Sequence, residues 1–289
     1  MKRFSLSIFL VLVILVIIGG YLFVNSDMNN IEDEIIENNK QNVEVEETDL
    51  SEFDLDDNFE IIEIRSDNVL TDTSKDKIIL VGKNPQESNI YWDEMMIILK
   101  NENDDLLLKK QLKDFAGYEP EIKIKDITGN NVKDIFLKAA SGGSGGIYFH
   151  RVLTLKENDL KVIFDEDNNE GINVVGYFAD GFKANLMFKN LNKRATLDIS
   201  ANQNEYIDQN IYNKDGEMIQ IDLVRPHSYP FSNLEVIDYN QDGKYDLRGI
   251  QRIIGAYGAD TISEVESVWS YEDEGWNILE VNYTTYLKK

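Results

Sequence analysis

Oxygen-bearing side chains occur at alternate positions of residues 238–246, a spacing that can hold a calcium ion. Side chains at every second residue of a tight loop converge on one centre, and Gly243, in the sixth position, permits the positive φ of the sharp turn. The twelfth position, which carries a bidentate Glu in an EF-hand, is Gly249, and no helical pattern flanks the loop. The spacing predicts a calcium site in a loop between two strands, with the ligands Asp238, Asn240, Asp242, the backbone carbonyl of Lys244, and Asp246.

A second copy of this spacing lies upstream, at residues 126–134. It begins 112 residues earlier, which is 238 minus 126. Asn131 replaces the glycine of the sixth position, and Asn also tolerates the left-handed conformation. Fewer charged ligands predict a weaker or empty site, and for both loops a plain Asp/Asn/Gly turn without metal is the alternative. The weaker candidate ligands are Asp126, Thr128, Asn130, Val132 and Asp134.

The segments that follow the two loops also repeat in order. Each loop is followed by a Gly-containing stretch and then by an aromatic strand pair divided by an acidic turn, at residues 147–164 and 265–281. On these residues the chain resembles the FG-GAP or VCBS-like repeat proteins of bacterial surfaces, and in particular uncharacterised exported proteins of Gram-positive bacteria. The resemblance covers residues 75–285. It implies calcium coordination by the loop at Asp238 and a propeller whose blades are joined by such loops.

Strand patterns dominate the chain beyond residue 61. Apolar and polar residues alternate in three short runs, and a period of two predicts half-buried strands. A turn cluster at residues 101–105 predicts a hairpin. We predict an all-β, antiparallel fold, either propeller-like or made of tandem β-modules, preceded by one N-terminal transmembrane helix. The alternating runs are residues 122–125, 219–223 and 278–283.

The first 60 residues divide into an apolar segment and an acidic segment. Lys2 and Arg3 precede a mostly apolar run, residues 6–24, which as a helix would reach roughly 29 Å and cross a bilayer with its N-terminus in the cytoplasm. We predict a cytoplasmic tip and membrane anchor at residues 1–26, with a cleaved signal peptide and secretion as the alternative. Residues 27–60 are predicted to form an acidic, disordered stem. Two β repeats, 61–168 and 169–289, are then expected to form one domain.

The overall charge excludes one class of partner. The formal net charge is -24, whereas nucleic-acid binding requires clustered Lys and Arg. The chain contains no cysteine, so disulfides, thiolate metal sites and a cysteine nucleophile are excluded. We expect Ca²⁺ as a structural ion, the membrane as one partner through the N-terminal helix, and an extracellular protein or glycan as another. The domain is expected on the outer side of the cell membrane.

Some patterns mimic catalytic motifs without the context that catalysis requires. Residues 142–146 match G-x-S-x-G, but a strand rather than a helix is predicted to follow. His150 and His227 have no partner at the spacing of a metal pair or an acid–base pair. We predict a non-enzymatic, calcium-stabilised module with a binding or structural role at the cell envelope. Because acidic residues are numerous, an extracellular polymer hydrolase with a glycosidase-like carboxylate pair stays open as the alternative.

Overall fold

The computed structural model describes residues 49–56, 58–85, 90–143, 145–219 and 224–286. Within these residues, the first part of the β fold is an eight-stranded antiparallel sheet. Its strands are β1 (Phe59–Asp67), β2 (Asp76–Lys83), β3 (Tyr91–Lys100), β4 (Leu106–Gln111), β5 (Gly117–Lys125), β6 (Asp134–Ala140), β7 (Tyr148–Lys156) and β8 (Asp159–Phe164). The strand order is β1-β2-β3-β5-β6-β7-β8, and β4 pairs with β3.

The second part of the described fold is a seven-stranded antiparallel sheet in the order β11-β10-β9-β12-β13-β14-β15. These strands are β9 (Val174–Ala179), β10 (Lys183–Phe188), β11 (Lys193–Asp198), β12 (His227–Ile237), β13 (Asp246–Ile254), β14 (Thr261–Glu272) and β15 (Gly275–Thr285). Helices are few and short. They are α1 (Glu166–Asn169), α2 (Gln203–Asp208) and 3-10 turns at Leu50–Phe53, Lys189–Leu191 and Ser200–Asn202.

The all-β prediction is confirmed in its tandem-module form, because the strands build two large sheets rather than separate four-stranded blades. The hairpin predicted around residues 101–105 is the β3–β4 pair, with Leu99 opposite Leu108. The repeated order is also present, since the meander β5-β6-β7-β8 recurs as β12-β13-β14-β15. Three hairpin loops are important below: the β1–β2 loop (67–76), the β5–β6 loop (126–134) and the β12–β13 loop (238–246).

Each sheet packs a core of its own, and a third apolar cluster joins the two sheets. Phe136, Val152 and Phe164 of the first sheet meet Phe231 and Leu247 of the second, and all five are buried. Fully burying one such side chain contributes about 1.5 to 3 kcal/mol. The shared cluster therefore fixes the sheets against each other and brings the loops at their ends together.

The buried side chain of Gln251 forms hydrogen bonds to the chain segment that connects the two sheets. The Oε1 atom of Gln251 accepts a hydrogen bond from the N–H of Ile172 at 2.7 Å. Its Nε2 atom donates to the carbonyls of Glu170 at 2.8 Å and Tyr229 at 2.9 Å. Gly171 has a φ of +57°, and a Cβ there would lie 2.4 Å from Gln251 Oε1. Only glycine therefore fits between the connection and Gln251.

Several predicted segments lie outside the described residues. The anchor at residues 1–26 and the stem up to residue 48 are among them, and within the described part no helix is long and apolar enough to cross a membrane. The described end of the predicted stem contains the 3-10 turn Leu50–Phe53 and the start of β1. Of the strand predicted at 219–223, Ile219 lies in a bend and residues 220–223 are not described. The predicted boundary at 168/169 falls in α1.

Candidate metal centre

The β12–β13 loop joins two strands, as its spacing predicts, and Gly243 has a φ of +90°. Asp238 closes the loop: its Oδ1 accepts a hydrogen bond from the N–H of Asp242 at 3.1 Å and its Oδ2 from Gly243 at 3.3 Å. Asp242 accepts from the side-chain amide of Asn240 at 2.8 Å and from the N–H of Lys244 at 2.9 Å. The carboxylates of half-buried Asp238 and exposed Asp242 therefore accept hydrogen bonds from the loop's own donors.

Asp246, the last predicted ligand, is the first residue of β13 and is 3% exposed. Burial raises the pKa of its carboxyl, while a hydrogen bond from Ser270 and the positive charge of Lys244 act in the opposite direction. The Nζ atom of Lys244 donates to Ser270 Oγ and to the carbonyl of Tyr271, both at 2.9 Å. A lysine ammonium thus offsets part of the charge that Asp246 carries into the fold.

The β5–β6 loop is closed in a similar way. The two carboxylate oxygens of Asp126 accept hydrogen bonds from the N–H of Gly129 at 2.7 Å and of Asn131 at 2.8 Å. Asn131 has a φ of +66°, the left-handed conformation that Asn tolerates. At the other end of the loop, Asp134 Oδ2 accepts from the N–H of Thr128 at 2.8 Å. Both acids of this loop therefore hold its backbone.

The remaining predicted ligands of the β5–β6 loop are also engaged internally. The Thr128 hydroxyl lies 3.1 Å from Asp134 Oδ2, and Asn130 Oδ1 accepts from the N–H of Val132 at 2.8 Å. Burial raises the pKa of Asp134, which also bonds Thr154 of β7. Thr154 of β7 therefore bonds the buried carboxylate of Asp134 as Ser270 of β14 bonds that of Asp246, at the matching position of the repeat. The repeat extends from strand order to individual hydrogen bonds.

A third loop of this kind, the β1–β2 loop, was not predicted. Asp76 is fully buried and its Oδ2 accepts from the N–H of Val69 at 2.9 Å, the N–H of Leu70 at 2.7 Å and the hydroxyl of Ser74 at 2.6 Å. The loop has neither the alternating acids nor the glycine that mark a calcium spacing. The buried aspartates that close the three loops, Asp76, Asp134 and Asp246, share one feature: each is the first residue of a strand.

The three loops lie side by side in a row. The N–H of Lys133 donates to the carbonyl of Asn68 at 3.0 Å, and its Nζ lies 2.6 Å from Asp67 Oδ1. These bonds join the β5–β6 loop to the β1–β2 loop. On the other side, the N–H of Tyr245 donates to the carbonyl of Asp126 at 2.7 Å, which joins it to the β12–β13 loop. The two predicted calcium loops are therefore direct neighbours.

The oxygen atoms of the β12–β13 loop are of the types that bind calcium, but the side chains are not arranged around a common centre. Carboxylate, amide and carbonyl oxygens are the ligands that Ca²⁺ prefers, and a carboxylate oxygen that accepts one hydrogen bond retains a second lone pair. Within the described ranges, however, no group of three or more Asp, Glu or His side chains is placed to hold a metal ion. A calcium ion would therefore have to replace hydrogen bonds within the loop. The residues that would hold it are Asp238, Asn240, Asp242, Lys244 through its carbonyl, and Asp246.

The glycine-rich stretch at 142–146 lacks the setting of a nucleophile elbow. The element after it is β7, a strand, whereas a nucleophile elbow requires a helix there. Ser144, the serine of the matching motif, lies outside the described residues. Gly145 instead serves the packing of the sheets, because its carbonyl accepts a hydrogen bond from Arg252 of β13.

The two histidines lie in different sheets and do not meet. His150 of β7 is buried, and its Nδ1 lies 2.7 Å from Asn169 Oδ1. Its Nε2 has no hydrogen-bond partner among the described residues, and burial lowers the pKa of His150 to about 4. His227 is exposed at the start of β12, and its Nδ1 lies 3.0 Å from the carbonyl of Arg225. His150 is therefore a neutral core residue at pH 7.

Two carboxylates share one cleft, where Glu205 and Asp260 line a volume of about 430 Å³ with Tyr257 and Tyr286. Asp260 is 4% exposed, and its Oδ2 accepts a hydrogen bond from the hydroxyl of Tyr206 at 2.7 Å. Glu205 accepts one from the hydroxyl of Tyr257. Both carboxylates thus hold tyrosines in place, which is a packing role.

The sheets and loops together define a two-sheet antiparallel β protein with repeated, aspartate-closed hairpins. A family model described as the YybI C-terminal domain matches residues 172–284, a range that coincides with the second sheet. The chain is also 26% identical over 215 residues to "Uncharacterized protein YybI" of Bacillus subtilis (strain 168), a match covering 74% of this chain and 80% of that protein. The predicted similarity to uncharacterised Gram-positive proteins is thus supported, and the family model that matches is that of the YybI C-terminal domain. The finer resemblance to FG-GAP or VCBS repeats stays a prediction.

Among solved structures, the chain is similar to a rhamnogalacturonan lyase of Bacillus licheniformis. The TM-score is 0.35 at 13% identity, and the match covers 78% of this chain and 34% of the lyase chain. The chain thus spans about a third of that enzyme's length. At this TM-score and identity, neither the fold nor the activity of the lyase is transferred to this protein.

Proposed function

We propose that this protein is a non-enzymatic, calcium-stabilised β-module held at the outer side of the cell membrane, where it binds an extracellular protein or glycan or gives structure to the envelope. The observation that carries the proposal is the row of three aspartate-closed loops at one end of the two sheets. In this proposal the β12–β13 loop binds the ion. The two neighbouring loops are ordered in turn, through the backbone hydrogen bonds that join the three loops.

The electrostatics of Asp246 support calcium binding at this loop. Its pKa is raised by burial, so the ionised carboxylate is destabilised at neutral pH. A divalent cation beside it would offset that cost. Extracellular calcium modules bind at roughly 0.1 to 1 mM, and calcium at ten times the dissociation constant would stabilise the fold by about 1.4 kcal/mol. That magnitude fits a structural ion.

Equilibrium dialysis against radioactive calcium tests the ion directly, with the full chain in detergent micelles. We expect one bound ion per chain in the wild type and none in the Asp242→Asn variant, whose side chain is exposed. Asp215→Asn, in an exposed loop of the second sheet, is the matched control and should keep the ion. A wild-type chain that binds no calcium at about 5 mM would remove the metal from the proposal.

The membrane part of the proposal rests on the N-terminal sequence. The apolar run at 6–24 follows Lys2 and Arg3, the order by which the positive-inside rule leaves the N-terminus in the cytoplasm. Protease added to intact cells should digest the β-module, while a cytoplasmic marker survives until lysis. Recovery in the membrane fraction supports the anchor, and recovery in the medium supports the cleaved form. Protection of the module until lysis would contradict export.

The second candidate function is hydrolysis of an extracellular polymer, for which the cleft with Glu205 and Asp260 is the place to look. An acid and a base or nucleophile would have to stand across a sugar bond there. Glu205→Gln abolishes turnover if this function is correct. If the wild type cleaves none of a panel of neutral and acidic polysaccharides, the cleft keeps only its packing role.

A further inference from the structure

The outer face of β9, β10 and β11 forms a mixed polar and apolar floor. The strand register places Tyr177 and Thr196 on either side of Asn185, and Val175 and Arg194 on either side of Met187. Because side chains alternate along a strand, these two rows project from the same face of the sheet. The hydroxyl of Thr196 donates to Asn185 Oδ1 at 2.6 Å and steadies one row.

A wall beside this floor turns it into a groove. The wall consists of Arg225 and Pro226, just before β12, and His227, the first residue of β12, which pairs with Val175 of β9. Gly176 permits this approach, because a Cβ there would lie 3.0 Å from Pro226 Cβ and 2.7 Å from the carbonyl oxygen of residue 185. The groove has a volume of about 890 Å³, at the upper end of the range for ligand sites.

The described charged residues of the groove have the opposite sign to the net charge of the chain. Arg194, Arg225 and His227 line it, and among the described lining residues there is no Asp or Glu. The whole chain has 53 acidic against 29 basic residues, so a groove whose described charged residues are all basic differs in composition from the average surface. A guanidinium group matches the two oxygens of a carboxylate, and hydrogen bonds between charged partners are about twice as strong as neutral ones. The groove therefore favours an anionic occupant.

The apolar side chains of the groove restrict the chemical class of its ligand further. Tyr177 is 60% exposed, the highest value among the large apolar side chains of the described residues, and Val175 beside it is 39% exposed. An open aromatic ring with a polar edge suits a ligand that is flat and apolar on one face and polar at its rim. A sugar ring has such a face. A free inorganic anion would use the arginines but would leave Tyr177 without a function.

We propose that this groove binds an acidic polysaccharide with carboxylates on its rings. The guanidinium of Arg194 holds a carboxylate, Tyr177 stacks against a sugar ring, and Asn185 and Thr196 bond its hydroxyls. The volume accommodates several rings in succession. This inference names a partner class for the proposed envelope function, and it does not depend on calcium.

Calorimetric titrations of the full chain in detergent micelles test the groove. Three probes are compared in the presence of chelator, which removes any calcium bridge between carboxylates: an alginate hexamer, maltohexaose and hexaglutamate. We expect alginate to bind best, Arg194→Gln to weaken it about tenfold and Tyr177→Ala about fivefold. The matched controls are Arg65→Gln on β1 and Leu279→Ala on β15, both exposed, and they should leave the affinity unchanged.

Several results would overturn the inference. They are no alginate binding at about 5 mM, hexaglutamate binding as tightly as alginate, maltohexaose binding as tightly as alginate, or equal losses in the groove variants and the controls. Thermal unfolding of each variant shows whether it is folded, and Arg194 and Tyr177 are exposed enough that we expect wild-type midpoints. Because chelator is present throughout, failure here is separate from failure of the calcium proposal.

Discussion

The main-chain N–H of Tyr245 donates a hydrogen bond to the main-chain carbonyl of Asp126 at 2.7 Å, linking the first residue of one aspartate loop to the end of another. The side chain of Lys125 lies over the ring of Tyr245, with 4.6 Å between Nζ and the ring centroid. The contact joins the two sheets at their loop ends. A substitution in either loop should therefore also affect the conformation and stability of the other loop.

Gly129 tests this contact. It has a φ of +74°, and a Cβ there would lie 3.0 Å from Lys244 Cδ, in the neighbouring loop. We expect Gly129→Ala to lower the free energy of unfolding by about 2 kcal/mol, as backbone strain and the clash add. Gly146→Ala, with a φ of +60° but nothing within 4 Å, is the matched control and should lose about 1 kcal/mol. Equal losses in urea titrations would show that the loops do not press on each other.

Gln251 tests the connection between the sheets. Gln251→Met keeps the volume but removes one acceptor and two donors, leaving the N–H of Ile172 and two carbonyls without their partner. We expect a loss of about 3 kcal/mol in the free energy of unfolding. Gln203→Met, on the exposed side of α2, is the control and should change it by less than about 0.5 kcal/mol. A Gln251→Met protein as stable as the control variant would contradict the structural role.

His150 gives the fold a dependence on pH. Burial lowers its pKa from 6.5 to about 4, with the charge of Lys138 acting in the same direction and the bond to Asn169 against it. The folded state thus binds the proton more weakly than the unfolded state. The stability contributed by neutral His150 is complete above pH 6.5, falls as the pH drops below it, and is lost by about pH 4.

The integrated loss is about 3 kcal/mol. It is measured as the difference in unfolding free energy between the wild type and His150→Gln across this pH range, because Asp134 and Asp246, whose pKa values are raised, stabilise the fold on protonation and act in the opposite direction. His227→Gln, at an exposed position, controls for loss of a histidine. Parallel pH profiles for the wild type and His150→Gln would refute the assignment.

Much of the fold could be predicted from local patterns, because strands and turns depend mainly on residues that are close together in the sequence. Buried Ile122 and Ile124 alternate with the more accessible Lys123 and Lys125, and β5 forms there. The repeat of Asp134 at Asp246 also follows from spacing alone. Gln251 and His150 gave no such signal, since their roles depend on partners about 80 and 20 residues away that only the folded sheets bring close.

The groove was missed for a related reason. Arg194 and Arg225 stand far apart in a chain of -24 net charge, and the register of β9, β10 and β11 brings Arg194 beside Met187 and Val175. The β1–β2 loop was missed because Asp76 closes it without the calcium spacing. In both cases the chemistry lies across strands, where sequence distance carries no information.

Thermal unfolding of the full chain in detergent, in chelator and then in millimolar calcium, tests the central claim most directly. Calcium at ten times its dissociation constant should raise the midpoint by about 4 °C, and Asp242→Asn should abolish the rise. Magnesium at the same concentration controls for ionic strength and should have little effect, because it loses its water less readily. An unchanged wild-type midpoint, or a rise that survives in Asp242→Asn, would contradict a calcium ion in the β12–β13 loop.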